Sequence, residues 1–270
     1  MTETLPISPP CAPPRAKGAL RVGLGPSGRL QDFRAEGSLR ALFPRREGTV
    51  EAVMINTAGG ITGGDRFAIV GDVAGGHLTL TTQSAERIYR AATGRGQVST
   101  QLTIAAGAAL SWLPQEVILF DGGALRRRLC VEMAEDAYLL AAESVILGRA
   151  AMGEVVRQGY LQDHISITRA GRPLYRDALR MEGDLHAHLA RAAIGQGAAG
   201  FATVICAAPD ACAKLEMIRT LLPQTAAVSA PQADLLLLRI LAEDGFGLRR
   251  TLVPVLRALS PHDLPRSWSL

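Results

Sequence analysis

Apolar residues alternate with polar or small ones at a period of two, in segment after segment, and glycine-rich turns separate the segments. No other feature of the chain restricts its fold as much. From His77 to Thr82, Leu78 and Leu80 take one side and Thr79 and Thr81 the other. Val98, Thr100, Leu102 and Ile104 alternate with their neighbours in the same way. This is the spacing at which successive side chains leave opposite faces of a strand. Ala19 to Phe33 and Val50 to Ile55 read as further short strands between glycine-rich turns.

The alternation recurs as a weak internal repeat. Moved by 27 residues, Gln101–Glu116 falls on Arg128–Glu143, so that Leu102 meets Leu129, Ile104 meets Val131, Trp112 meets Leu139 and Glu116 meets Glu143. A looser copy sets Leu78, Leu80 and Gln83 against Leu110, Trp112 and Gln115 at a shift of 32. Recurring strand units at this spacing predict a mainly β chain, as stacked antiparallel sheets or a β-helix-like body. Chance agreement among apolar strands would give the same match without a repeat architecture.

The last third changes character. Phe201–Ala207 reads as a strand; Asp210 is placed to cap a helix running to about Leu222, which Pro223 stops. Leu235–Leu241 reads as a buried strand, Asp244-Gly245 as a turn, and Gly247–Leu259 as a second helix with a kink at Pro254. Two helices against antiparallel strands make an α+β end piece. The expected layout is a proline-rich, disordered tail over residues 1–16, then one domain over 17–270, with a β-rich body at about 17–190 and the end piece at about 195–270.

Composition narrows the function. The 270 residues are 48% apolar, enough for a sizeable core, yet no 18-residue stretch is uninterruptedly apolar. Met1 to Arg15 carries five prolines and no charged segment followed by an apolar one, so no secretory signal is expected and the default compartment is the cytoplasm. The four cysteines form no CxxC pair, which argues against structural zinc; small buried hydrophobes plus one tail thiol are expected. The net charge is +4, almost all the positive charge is arginine, and aromatics are only 4%. Nucleic-acid binders concentrate charge on one face, often with aromatics for stacking, so a solvated face or an acidic protein partner is the better expectation.

The strongest local signal is Asn56-Thr57-Ala58-Gly59-Gly60-Ile61-Thr62-Gly63-Gly64-Asp65-Arg66. Two glycine pairs in so short a span require an unusual backbone. A phosphate loop would need Gly-Lys-Ser/Thr opening a helix, and a dinucleotide fingerprint would need other spacing inside a βαβ unit; neither is here. What remains is a tight double turn between strands, or a rigid loop that presents Asp65. Of the histidines only His186 and His188 are close, and their spacing shares a face on a strand but not on a helix. No tight metal site is expected, since such sites want three or four converging ligands. Glu47, Asp65, Glu116, Glu143, Glu154 and Asp177 are carboxylates at suggestive places. Oxygen ligands hold nickel or zinc weakly, which suits passage better than storage, while an exposed acid or an arginine partner is the plainer reading of each. There is no GxSxG and no Cys/His signature, so no enzyme activity is expected; the alternatives left open are an enzyme using paired carboxylates, whose separation a sequence does not give, and a structural binding module.

These segments resemble a known family. Gly59-Gly60-Ile61-Thr62-Gly63-Gly64-Asp65 is similar to the PGGxxGGD signature of the UreD (UreH) urease accessory proteins. Thr81 to Tyr89-Arg90, Trp112-Leu113-Pro114-Gln115-Glu116, Gly148-Arg149 through Gly153-Glu154, and Leu264-Pro265-Arg266-Ser267-Trp268 resemble further family segments, in order, from about Lys17 to the C-terminus. Thr57-Ala58 stands where the family has two prolines, and Arg66 where an acid is also found. The resemblance implies a largely β accessory protein that binds UreF, which recruits the GTPase UreG, and that docks on apo-urease to help deliver nickel. It implies no tightly bound cofactor, a transient nickel ion, and an acid-lined internal route. On that route Asp65 matches a motif position, Glu143 and Asp177 align more loosely, and Glu47 more loosely still.

Overall fold

The computed structural model describes residues 14–269, so most of the proline-rich tail lies outside the described residues. Along the chain, strands β1 (Lys17–Leu24) and β2 (Leu30–Gly37) form a hairpin, and β3 (Leu39–Leu42) leads into β4 (Val50–Asn56). The Ala19–Phe33 stretch thus breaks at a turn, where the Gly28 N–H donates to the Gly25 carbonyl. Three coils follow: β5 (Arg66–Val73) with β6 (His77–Thr82), β8 (Gly96–Ile104) with β9 (Ala109–Leu113), and β11 (Ala124–Met133) with β12 (Tyr138–Leu147). Short strands β7 (Glu86–Ile88) and β10 (Val117–Leu119) lie on the return segments.

The first strand of each coil enters one sheet and the second enters the other. β5, β8 and β11 pair in parallel, as do β6, β9 and β12. The chain is mainly β, as expected, with sheets of mixed direction: parallel stacks at the centre and antiparallel pairs toward the edges. A coil that always re-enters on the same side brings its strands back pointing the same way. Antiparallel pairs appear where the chain turns directly back, as in β13 (Gly159–Arg169) with β14 (Arg172–Gly183). Leu78 stands opposite Leu110 and Leu80 opposite Trp112, matching the looser repeat. In the other repeat Leu139 stands opposite Leu110 rather than Trp112. That slip of two residues keeps every side chain on its predicted face.

The end piece joins the second sheet through β15 (Gly200–Ala207), β17 (Leu235–Ala242) and β16 (Ala226–Gln232). Three helices accompany it: α1 (Leu185–Ala190), α2 (Leu215–Arg219) and α3 (Gly245–Leu259). The helix expected from Asp210 begins as a 3-10 turn over Ala211–Lys214, with no side-chain cap from Asp210, and α2 is one short turn. At α3, Asp244 is an N-cap: its carboxylate accepts from the Gly247 N–H at 2.7 Å. Of the cysteines described, Cys206 is buried, Cys130 half-buried and Cys212 exposed. Among the described residues no helix is long and apolar enough to cross a membrane.

Two apolar layers result. One lies between the sheets, with Leu102, Ile104, Leu129 and Val131 facing Leu78, Leu80, Leu110 and Leu139. The other lies beyond the second sheet, where Leu140, Ala142, Val204 and Leu238 meet Leu248, Leu252, Leu256 and Trp268. Strand β12 therefore has apolar layers on both faces, and anything polar it carries is held away from water.

Candidate functional site

Glu143 is such a residue. It follows Leu139 and Ala141 on the face of β12 that looks between the sheets, and is 4% exposed. One carboxylate oxygen accepts from the Trp112 indole N–H at 2.7 Å, and the other pairs with the Arg127 guanidinium. Arg127 lies on the inward phase of β11, between Leu125 and Leu129, and grips Asp163 as well, at 2.5 and 3.2 Å. Asp163 in turn sits between Leu161 and Ile165 on β13. Three charges thus occupy the apolar phase of three strands. Burial pushes the Glu143 carboxyl up to about 7, against the pull of Arg127 and with added repulsion from Asp163. Burial works against the Arg127 charge, but Asp163 and Glu143 outweigh it and hold the guanidinium above its usual range. Such a triad contributes little net stability, because its desolvation offsets the attraction.

Arg127 and Glu143 stand in the wall between two cavities. One, of about 130 Å³, is lined by Phe67, Ile69 and Val98 and by the polar groups of Asn56, Glu86 and Gln115. The other, of about 290 Å³, is lined by Asp163, Asp177, His188, Thr203 and Arg239. Both include Arg127 and Glu143. In the second cavity Arg239 pairs with Asp177 at 2.6 Å and also donates to Thr203. In the first, Asn56 donates to Glu86 at 3.2 Å, and burial raises the Glu86 carboxyl to about 7.

The sequence-derived candidates divide between these cavities and their frame. Glu143 and Asp177 line them. Asp65 is buried but lines neither; its two oxygens accept from the N–H groups of Ala16 and Thr62, each at 2.8 Å, which ties the glycine loop to the entry of β1. Glu47 is exposed in the loop before β4. Of the loop glycines, Gly60 packs where a Cβ would strike the Tyr89 ring, and Gly63 where it would strike the Thr93 carbonyl; Gly59 and Gly64 take positive φ. His186 and His188 diverge on α1: the Val156 N–H donates to His186 Nδ1 at 2.8 Å, while His188 faces the second cavity. Among the described residues no group of three or more His, Cys, Asp or Glu converges to hold a metal ion.

The remaining motif segments build two clusters beside the first cavity. In one, Tyr89 packs edge-on against Phe120, Arg90 pairs with Asp121 at 2.6 Å, and Arg149 pairs with Glu154 at 2.7 Å across the turn from Gly148 to Gly153. In the other, Arg249 of α3 donates to Gln115 at 2.6 Å, to Glu116 at 3.1 Å and to the Ser267 carbonyl at 3.0 Å. There Trp268 is buried and donates to the Leu113 carbonyl at 3.0 Å, just past Pro265 and Arg266. Two segments far apart in sequence thus meet on one arginine.

Arg127, Asp163, Arg239 and Glu86 were not among the sequence candidates. The signal for the first two was a charge on the apolar phase of an otherwise alternating strand. Arg127 was masked by its neighbours Arg126 and Arg128, which point outward.

Comparison with known proteins agrees with the motif segments. The family model described as UreD urease accessory protein matches residues 16–269. A urease accessory protein UreD of Ruegeria pomeroyi is 45% identical over 92% of this chain and 97% of its own length. Those of Roseobacter denitrificans and a Methylobacterium species are 43% and 40% identical, over 97% and 96% of this chain and 97% of each relative. The chain belongs to the UreD urease accessory protein family.

Proposed function

We propose that this chain is a non-catalytic cytoplasmic factor in the maturation of urease, and that it conducts nickel toward the apo-enzyme. Family membership supports the maturation role. The observation that carries the conduction reading is the pair of interior cavities meeting at Glu143 and Arg127. Buried carboxylates with a raised titration range that face a cavity are functional candidates. Glu143 and Asp177 offer oxygen ligands that bind a divalent ion weakly enough to release it. Each is held by an arginine, so an arriving cation replaces a guanidinium as counter-charge and the interior never carries bare carboxylates. Asp65 acts in this reading by fixing the loop that frames the first cavity.

The glycine loop lies between strands and has no lysine, so GTP hydrolysis belongs to a UreG-type partner, recruited through a UreF-type protein that this chain binds. The test is deletion of this chain in a strain carrying the urease cluster. Urease is then expressed but nickel-poor and inactive, and is restored by the chain in trans. Normal nickel content in the deletion strain overturns the reading.

A further inference from the structure

We propose that the outer face of the first sheet is a docking surface for an acidic segment of a partner protein. The parallel register lines up side chains across the strands. Lys17 stands beside Arg66, Arg66 beside Gln97, Gln97 beside Arg126, Arg126 beside Gln162, and Gln162 beside Arg180. All six lie on the face turned away from the core. With neighbouring strands about 4.8 Å apart, this row spans about 24 Å, with cations separated by about 5 or 10 Å and glutamines between them. Arg128 and His164 stand in the next outward row, beside Ser99 and Ala178.

The row borders a groove of about 800 Å³ whose lining includes Ala19, Ala68 and Ser99 as well as Arg66, Arg126 and Arg128. Small side chains in the second row leave room there for an incoming segment. Lys17, Arg66, Arg126 and Arg128 are exposed, and among the described residues none forms an ion pair. Arg126 only donates to Gln162, at 3.0 Å, and Arg180 is held by Glu182. Some arginines elsewhere are paired, as Arg46 is by Glu51 and Arg169 by Asp234, while exposed ones such as Arg29, Arg157 and Arg191 form no ion pair among the described residues. What sets this face apart is that four cations unpaired among the described residues, Lys17, Arg66, Arg126 and Arg128, stand in two adjoining rows of one sheet.

Charge complementarity calls for carboxylates, which guanidinium groups take in paired hydrogen bonds. The face suits a protein segment better than nucleic acid. It is bounded by acids, Glu36 at the groove and Asp72 and Glu132 farther along the same strands, so the cationic stretch is short and matches a short acidic segment better than a continuous phosphate backbone. It also offers no exposed aromatic for base stacking: Tyr160, nearest the row, is buried beneath Arg95, whose guanidinium lies 3.5 Å from the ring centre.

The experiment measures binding of three fluorescent probes to the full-length protein: a glutamate-rich peptide, duplex DNA of equal charge, and phosphatidylglycerol vesicles. The variants are Arg66→Glu/Arg126→Glu on the face and, as a control, Arg219→Glu on α2, beyond the second sheet. The peptide is expected to bind more tightly than the other two probes. The double variant should weaken it at least tenfold, the control variant should leave it unchanged, and added salt should weaken the wild type. Tighter binding of DNA or vesicles overturns the protein occupant. Absence of peptide binding, or equal binding by the double variant, overturns the surface.

Discussion

Replacing Arg127 with methionine isolates the physics of the buried triad. Methionine fills much the same volume but leaves Glu143 and Asp163, 4% and 8% exposed, without their shared cation. Removing one partner from a buried ion network costs about 3–5 kcal/mol. The cost should depend on pH. Glu143 is already raised to about 7 by burial, and without Arg127 the burial and the repulsion of Asp163 are opposed only by the Trp112 hydrogen bond, so it rises further. A carboxyl whose folded value lies above its unfolded value contributes stability that is complete below about 4.5 and is lost as pH rises through the folded value. The pH-dependent part of the Arg127→Met deficit should therefore be flat up to about pH 7, where both proteins hold the Glu143 proton, and grow above it by at most roughly 1.4 kcal/mol per pH unit. Urea unfolding midpoints at several pH values measure it. Adding Glu143→Gln should restore about half the loss at high pH, because the two sites are coupled. A deficit under about 1 kcal/mol, or one that stays flat above about pH 7, refutes this account of the triad.

Glu86→Gln should raise stability above neutrality by about 2 kcal/mol and flatten the fall between pH 4.5 and 7, because burial lifts that carboxyl to about 7; melting temperature against pH checks this. Gly63→Ala should cost about 2–4 kcal/mol through collision with the Thr93 backbone, whereas Gly59→Ala, with open space at the Cβ but φ of 76°, should cost about 1–2 kcal/mol; thermal denaturation of both compares them. Asp65→Ala should lower urease activation only in proportion to lost folding or assembly, and Asp65→Asn should be milder, because one amide oxygen can still accept a backbone N–H; activation and partner pull-down are measured together.

Strand phase was legible in the sequence, and with it most of the fold. Leu78, Leu80, Leu102 and Ile104 all face the layer that their alternation predicts. Strand direction was not, because a period of two is the same in parallel and antiparallel sheets and only the path between strands decides. The repeat that set Trp112 against Leu139 had the right phase and the wrong register, since a slip of two leaves every face unchanged. The site was legible in part. Glu143 stands out as an acid in an apolar strand, but its partners come from strands that meet it only after coiling. The local ties of Asp65 were not legible: one carboxylate oxygen accepts from Thr62 of its own glycine loop and the other from Ala16, which only the fold brings alongside.

The most direct test of nickel conduction is the nickel content of urease activated with the double variant Glu143→Gln/Asp177→Asn. Both changes keep side-chain shape, and Arg127 retains Asp163, so the fold and the assembly should persist. Pull-down of the complete maturation complex establishes that they do. With the complex intact, nickel per urease active site should fall at least severalfold below wild type. Wild-type nickel loading by an intact complex would contradict a route through these cavities.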